Sequence, residues 1–375
     1  MSRHDKERSA PDQRPRANTV GLLRRRPGQA VAIAALLVIV VGAFAYVGGW
    51  LTPNRLSPAR LIDRLENAAG GPHPGFRRAH AKGICIAGAF TASPVARSWS
   101  TAAVFRGDVI PVAGRLAEAT PNPYSADATN AVRSMALRLQ PARGGEWRTG
   151  MNNTPGLPVS TPRDFYDLAQ ASAPDPRTGK PDPARLQPFV ARHPETAAYF
   201  ARAGAKPLAA TFVNDSYNSL NGFMFVGPDG VRRLVRWTMR AEAPFSTLAP
   251  DQRARAPANY LFDDLLRQAA AGPLRWRLIA TFAEPGDPNR AAEVWPAERR
   301  RVDMGELVIT HVESEAPGNC RDLNFDPLTL PSGIEASDDP IPYARSAAYS
   351  VSFRRRMGEP KPPSAISDRD AGAPP

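Results

Sequence analysis

The sequence predicts an α+β fold: an eight-stranded antiparallel β-barrel with flanking helices, preceded by one N-terminal transmembrane helix. Two patterns predict it. Eight short apolar or period-two runs fall in two sets of four, with helical segments between and after them. That order suits an antiparallel sheet closed into a barrel better than the alternation of a parallel sheet. Ahead of them, Ala30 to Leu51 carries no charge over 22 residues, long enough to cross a hydrocarbon core of about 30 Å as a helix.

Residues 1–28 read as a basic cytoplasmic arm, with eight Lys/Arg against three Asp/Glu, and residues 29–51 as a transmembrane anchor. Arg24, Arg25 and Arg26 immediately precede the apolar run, so the positive-inside rule keeps the amino terminus in the cytoplasm and sends the rest of the chain outside. A cleaved signal peptide competes with this reading, because Ala43-Phe44-Ala45 has the small-x-small form of a cleavage site. Continuation of the run through Tyr46, Val47 and Trp50, with Trp50 placed as an interfacial anchor, favours retention. Residues 52–75 read as a linker, with a short amphipathic helix over Pro58 to Ala68 and a Gly-Gly-Pro hinge.

The first four strands are expected at Gly83–Ala92, Val109–Leu116, Val132–Gln140 and Trp147–Met151. The second four are expected at Leu208–Val213, Phe223–Val226, Val231–Met239 and Leu274–Phe282, with turns such as Pro228-Asp229-Gly230 between strands. Helices are expected from Thr161-Pro162, from His193-Pro194 to about Ala203, over Ala258 to Ala271, and from about Ser337 to Arg356. Met357 to Pro375, rich in Pro, Ser and Asp, is expected to be disordered.

At 375 residues with 42% hydrophobic content, the chain can bury one large core without staples. The formal charge of +12 does not mark a nucleic-acid partner, because five of those charges sit in the arm and the remaining Arg are scattered without interleaved aromatics. Two cysteines do not make a disulfide framework, and Cys85 in an apolar strand reads as a buried small hydrophobe. The stretch that draws attention is Arg77-Arg78-Ala79-His80-Ala81-Lys82-Gly83, ahead of the apolar run Ile84 to Phe90. Glycines at 83 and 88 would let another backbone or a flat ligand come close. Taken alone, His80 reads as a core or capped histidine.

Other segments change that reading. His80-Ala81-Lys82-Gly83 with its small-residue strand resembles the distal-histidine segment of the haem catalases. Gly150-Met151-Asn152-Asn153-Thr154-Pro155 is similar to the family's Asn-Asn-Thr-Pro segment, whose first asparagine stands beside that histidine, here Asn152. Phe165 falls where the family packs a phenylalanine against the haem face. Phe325-Asp326-Pro327 and Gly333 to Ile341 resemble the approach to the family's proximal helix, whose Arg-x-x-x-Tyr is here Arg345 to Tyr349. The likeness runs in order from about residue 76 to 356, giving a catalase-like haem domain. It is strongest to the shorter catalase-related peroxidases, which Tyr260 to Asp264, Ala283 to Pro288 and Trp295-Pro296 also resemble.

The resemblance implies heme b with Tyr349 as the iron ligand, His80 and Asn152 as the catalytic pair, and Phe165 against the ring. Arg77, Arg115 and Arg356 would contact the propionates. Spacing of i and i+4 puts Arg345 and Tyr349 on one helix face, where a fixed cation favours the phenolate that binds ferric iron. The implied activity is reduction of hydrogen peroxide or an organic hydroperoxide by an organic electron donor whose identity the sequence does not give. Rearrangement of fatty-acid hydroperoxides and non-catalytic haem holding are the other readings, and retention of both His80 and Asn152 argues against the second. Segments that tie the large catalases into tetramers are missing, so a monomer or small homo-oligomer with a more open haem is expected. Where the family has Arg-Phe-Ser, this chain has Arg115-Leu116-Ala117, so the hydroxyl that orients the distal histidine is expected to be absent and dismutation slow.

Overall fold

The computed structural model describes residues 27–48, 50–51, 55–175, 177–178, 180–316 and 318–367. Most of the basic arm and residues 368–375 of the expected disordered tail lie outside these. The chain divides after Ser57 into two units. In the first, helix α1 (Pro27–Val47) is long and apolar enough to cross a membrane.

The second unit is a closed barrel with helices around it. Its strands are β1 (Gly83–Ala92), β2 (Val109–Glu118), β3 (Arg133–Leu139), β4 (Trp147–Asn152), β5 (Tyr217–Asn218), β6 (Phe223–Val226), β7 (Arg232–Ala241), β8 (Leu274–Phe282), β9 (Arg301–Glu313) and β10 (Ile334–Ala336). Eight of them close a circuit, β1-β2-β3-β4-β5-β7-β8-β9 and back to β1, every pairing antiparallel. Strands β6 and β10 extend it beside β7. The interior is filled by large rings, with Trp147, Trp237, Trp276, Phe90, Phe105 and Phe225 fully buried.

Strand period decides which face each side chain takes. On β4, Trp147, Thr149 and Met151 point into the barrel, while Arg148, Gly150 and Asn152 take its outer face. Cross-strand register then aligns a row of small and polar residues on that outer face: Gly83, Ala117, Ser134 and Asn152. One step along lies a second row, Cys85, Arg115, Ala136 and Gly150.

Helices flank the barrel. They are α2 (Pro58–Ala68), α3 (Pro162–Ala171), α4 (Pro183–Arg192), α5 (Pro194–Ala205), α6 (Pro250–Ala254), α7 (Tyr260–Ala271) and α8 (Pro340–Met357). Thr161 caps α3 by accepting from the Asp164 amide at 3.1 Å, and Asp339 caps α8 through the Ile341 amide at 2.9 Å. The expected linker helix α2 packs against α3 and α8 through Leu61, Ile62, Leu65, Phe165 and Ala348. Ion pairs from Arg78 to Glu66 (2.7 Å) and from Arg355 to Glu66 (2.9 Å) and Asp63 (2.7 Å) pin it there.

Three expectations are corrected. The strand expected over 208–213 is a turn closed by Thr211 and Asn214 side chains, and β9 completes the barrel instead. Cys85 is not a free thiol: it forms a disulfide with Cys320, 235 residues on. The expected disordered tail is ordered at its start, where Glu359 accepts from the Gly75 amide (2.7 Å) and from Arg78, and Ile366 is buried in the main core. Gly88 does admit another backbone, that of β9, as one of the two expected alternatives, while the Arg115 guanidinium fills the space at Gly83.

Candidate active site

All eight residues singled out in the sequence, Arg77, His80, Arg115, Asn152, Phe165, Arg345, Tyr349 and Arg356, line one cavity of about 330 Å³ between the outer face of β1–β4 and helices α2, α3 and α8. Small-ligand pockets start at about this size. Helical spacing explains the α8 wall, since Ile341, Arg345, Ala348, Tyr349, Ser352 and Arg356 form one stripe.

His80 sits just before β1 with a backbone φ of 54°. Left-handed geometry is uncommon outside glycine, and the other described non-glycine residue that has it, Leu220, also lines the cavity. Arg115 holds the His80 turn, donating to the His80 carbonyl at 2.7 Å and the Ala81 carbonyl at 3.1 Å. The ring is held separately, with Nδ1 at 2.9 Å from Ser134 Oγ. The expectation of a missing hydroxyl is therefore wrong. Position 117 is alanine, but its cross-strand partner on β3 is Ser134, and the hydroxyl comes from there. Burial, then the nearby cations Arg115, Arg345 and Arg77, push the imidazole from its ordinary 6.5 down to about 3, so it is neutral at physiological pH.

Across the cavity, Arg345 lies on the same face of α8 as Tyr349, with its guanidinium carbon 6.0 Å from the ring centre. Arg345 donates to Asn221 Oδ1 at 3.0 Å, and Asn221 donates to the capping residue Asp339 at 2.8 Å, so the guanidinium is anchored through a buried chain. Gly150 leaves space over both groups: a Cβ there would meet Arg345 at 3.2 Å and the Tyr349 hydroxyl at 3.6 Å.

At the third side, Arg77, Arg115 and Arg356 gather around one carboxylate, Glu315. Arg115 grips it twice, Nε to Oε1 at 2.7 Å and Nη2 to Oε2 at 3.2 Å, and Arg77 Nε stands 4.0 Å away. Burial pushes the Glu315 carboxyl up, but Arg115, Arg77 and Arg356 outweigh it and hold it below its ordinary value. Burial together with Arg356 and Arg115 drives Arg77 well below the usual guanidinium range. Loop 314–325 shapes this corner: Arg77 Nη2 donates to the Cys320 and Leu323 carbonyls at 2.9 and 3.0 Å, and Arg356 donates to the Arg321 carbonyl. The Cys85–Cys320 disulfide ties that loop to β1, beside Phe325 and Tyr349.

These residues fit haem. A phenol anchored beside a guanidinium suits ferric iron. Three guanidiniums against one carboxylate leave surplus positive charge for two propionates, and the buried Nε atoms of Arg77 and Arg356 have no hydrogen-bond partner. Four of the five Arg115 N–H groups are engaged with Glu315 and the His80 turn, which leaves one Nη1 hydrogen for a propionate.

Sequence reasoning missed Ser134, Glu315, Asn221, the disulfide and the α2 wall. Pairing register could have found Ser134, since it is the residue opposite both Ala117 and Asn152. Glu315 and Asn221 lie in loops without a pattern.

Comparisons with known proteins agree with this fold. The chain is 32% identical over 328 residues to a catalase-related peroxidase of Synechococcus elongatus, covering 87% of this chain and 95% of that protein. It is 31% identical to a catalase-related peroxidase of Mycolicibacterium paratuberculosis, covering 85% and 98%. A bacterial catalase structure superposes with a TM-score of 0.67 at 21% identity, over 82% of this chain and 62% of that one. A fungal catalase gives 0.66 at 20% identity, over 76% and 59%. The catalase family's sequence profile matches residues 61–361, and the chain belongs to that family.

Proposed function

We propose that the protein is a haem-dependent peroxidase that reduces hydrogen peroxide and organic hydroperoxides at the expense of an external organic electron donor. The observation that carries this reading is an imidazole in a left-handed turn, hydrogen-bonded at Nδ1, facing the same cavity as the Arg345–Tyr349 pair. A protein that only held haem would need Tyr349 and packing, with no reason to maintain His80 in that conformation.

In this reading Tyr349 would bind the iron of a heme b, Phe165 would pack on the ring, and Arg77 and Arg356 would hold the propionates. Arg115 contributes charge and fixes the His80 turn. When bound, haem would supply the redox-active iron for peroxide reduction. His80 moves the hydroperoxide proton from the inner to the outer oxygen. Its low proton affinity means that it hands the proton on rather than keeping it. The Asn152 amide holds the outer oxygen. Leu61, Ile62 and Leu65 give the cavity an aliphatic wall, which suits organic hydroperoxides.

The catalytic unit is assigned to the periplasmic side of the inner membrane, anchored by α1. Three arginines precede α1, and the Cys85–Cys320 disulfide belongs in an oxidising compartment. The test is peroxide-dependent dye oxidation by the haem-loaded full chain in detergent, with oxygen evolution followed in parallel. Oxidation driven by an organic hydroperoxide supports the reading. Conversion of a lipid hydroperoxide without donor consumption would replace it with the rearrangement reading.

A further inference from the structure

The hydroxyl beside His80 has changed strands. Resting on the peroxidase reading above, we propose that Ser134 is the residue that positions the His80 imidazole for proton relay.

Arg115 fixes the backbone of the His80 turn, its hydrogen bonds there going to the His80 and Ala81 carbonyls and not to the ring. Among the described residues, Ser134 Oγ is the hydrogen-bonding atom recorded against a ring nitrogen, at 2.9 Å from Nδ1. The neighbouring cavity wall is made of Ala79, Ala117, Ala119 and Ala136, none of which has a polar side-chain atom. The cross-strand partner Ala117 and the same-face neighbour Ala136 offer no hydroxyl in place of Ser134.

Register explains how the exchange works. Ala117 and Ser134 are direct cross-strand partners, so their Cβ atoms sit about 5 Å apart on the same face. A hydroxyl on either residue enters the same gap from opposite sides. Asn152 is the next residue in the row, so one line across three strands carries the methyl of Ala117, the hydroxyl of Ser134 and the amide of Asn152.

The second contact of Ser134 sets the direction of the bond. Oγ lies 3.4 Å from the Ala117 carbonyl, a group that can only accept. When the hydroxyl hydrogen points there, Oγ accepts from Nδ1–H, and Nε2 is left bare toward the cavity. That tautomer is the one that takes a proton from a hydroperoxide. Ser134 therefore selects the base form of a neutral imidazole. It is a positioning residue, since it acts on substrate only through His80.

The test uses the parent full chain, Ser134→Ala, Ser134→Thr and the double variant Ser134→Ala/Ala117→Ser. In the haem-free full chain with ¹⁵N-labelled histidine, whose signals iron does not broaden, the parent should show His80 as a single Nδ1–H tautomer, identified by its loss in His80→Asn. Ser134→Ala should give a tautomer mixture, while the threonine variant and the double variant restore the parent pattern. In the haem-loaded proteins, Ser134→Ala should lower kcat/KM for hydroperoxide by roughly 10- to 100-fold at unchanged haem occupancy. Both hydroxyl-restoring variants should recover most of that loss. An unchanged tautomer and rate in Ser134→Ala would overturn the proposal. So would a rate loss with the parent tautomer retained, or one that neither hydroxyl-restoring variant repairs. If the parent itself oxidises no donor, the peroxidase reading falls, and the tautomer measurement still decides the role of Ser134.

Discussion

Replacing His80 by alanine separates an enzyme from a haem carrier. A well-placed acid/base group contributes roughly 10²- to 10⁴-fold. Here the backbone is fixed by Arg115 and the ring by Ser134, at 2.7 and 2.9 Å, so the loss should fall in the upper half, about 10³- to 10⁴-fold or about 4–5.5 kcal/mol of barrier. Haem occupancy should stay near the parent value, because the assigned ligand is on α8. His80→Asn serves as a second variant, since asparagine tolerates the 54° backbone better than alanine does. The assay is donor oxidation with an organic hydroperoxide, normalised to bound haem. Equal rates for parent and both variants would refute the relay. The pH dependence gives an independent check: with the imidazole pushed to about 3, the acid limb of kcat/KM should lie near that value and not near 6.5. As pH falls from 6.5 toward 3, the unfolded chain takes up a proton at this histidine that the folded one refuses. The parent should therefore lose stability over that range more steeply than His80→Asn.

Three further outcomes are expected. Tyr349→Phe should bind haem weakly or not at all in a reconstitution titration, and full occupancy with the parent's ferric spectrum would remove the axial assignment. Protease added to spheroplasts should digest the catalytic unit while α1 stays with membranes, and protection would contradict the orientation. Cys85→Ser/Cys320→Ser should lower the melting temperature, since a cross-link over 235 residues corresponds to a chain-entropy contribution of about 5 kcal/mol. Loss of haem affinity should accompany it, because loop 314–325 carries the carbonyls that hold Arg77 and Arg356; unchanged affinity would mean the loop stands without its staple.

What the sequence made legible depended on local pattern. The short period-two runs at β1–β4 and the Thr161-Pro162 and Asp339-Pro340 helix starts are visible because their signals lie within a few residues. Strand β9 was hidden by its own irregularity: its buried residues Val302 and Met304 are followed by Leu307 and Ile309, a three-residue step at the Gly305 bulge that breaks strict alternation. Leu208–Val213 looked like a strand because it is apolar, but the Thr211 and Asn214 side chains compete for its backbone groups and close a turn.

At the site, residues carried by contiguous motifs were found and residues defined by pairing were not. Tyr349 and Arg345 are four apart on one helix, a relation that sequence spacing contains. Ser134 meets His80 across 54 residues, Glu315 meets Arg115 across 200, and Cys85 meets Cys320 across 235. Each of these depends on the closed barrel, so inspection of position 117 alone gave the wrong answer about the hydroxyl. Its consequence changes as well. Support of the His80 ring by Ser134 removes one reason for slow dismutation, while the aliphatic wall formed by α2 still favours organic hydroperoxides.

The most direct measurement is an absorbance titration of the haem-free full chain with haem, followed by addition of an organic hydroperoxide and then of a donor. The account predicts saturation at one haem per chain, a rapid spectral change on hydroperoxide addition, and return to the starting ferric spectrum as donor is oxidised. Failure to bind haem, or a bound haem whose spectrum hydroperoxide leaves unchanged, would contradict it.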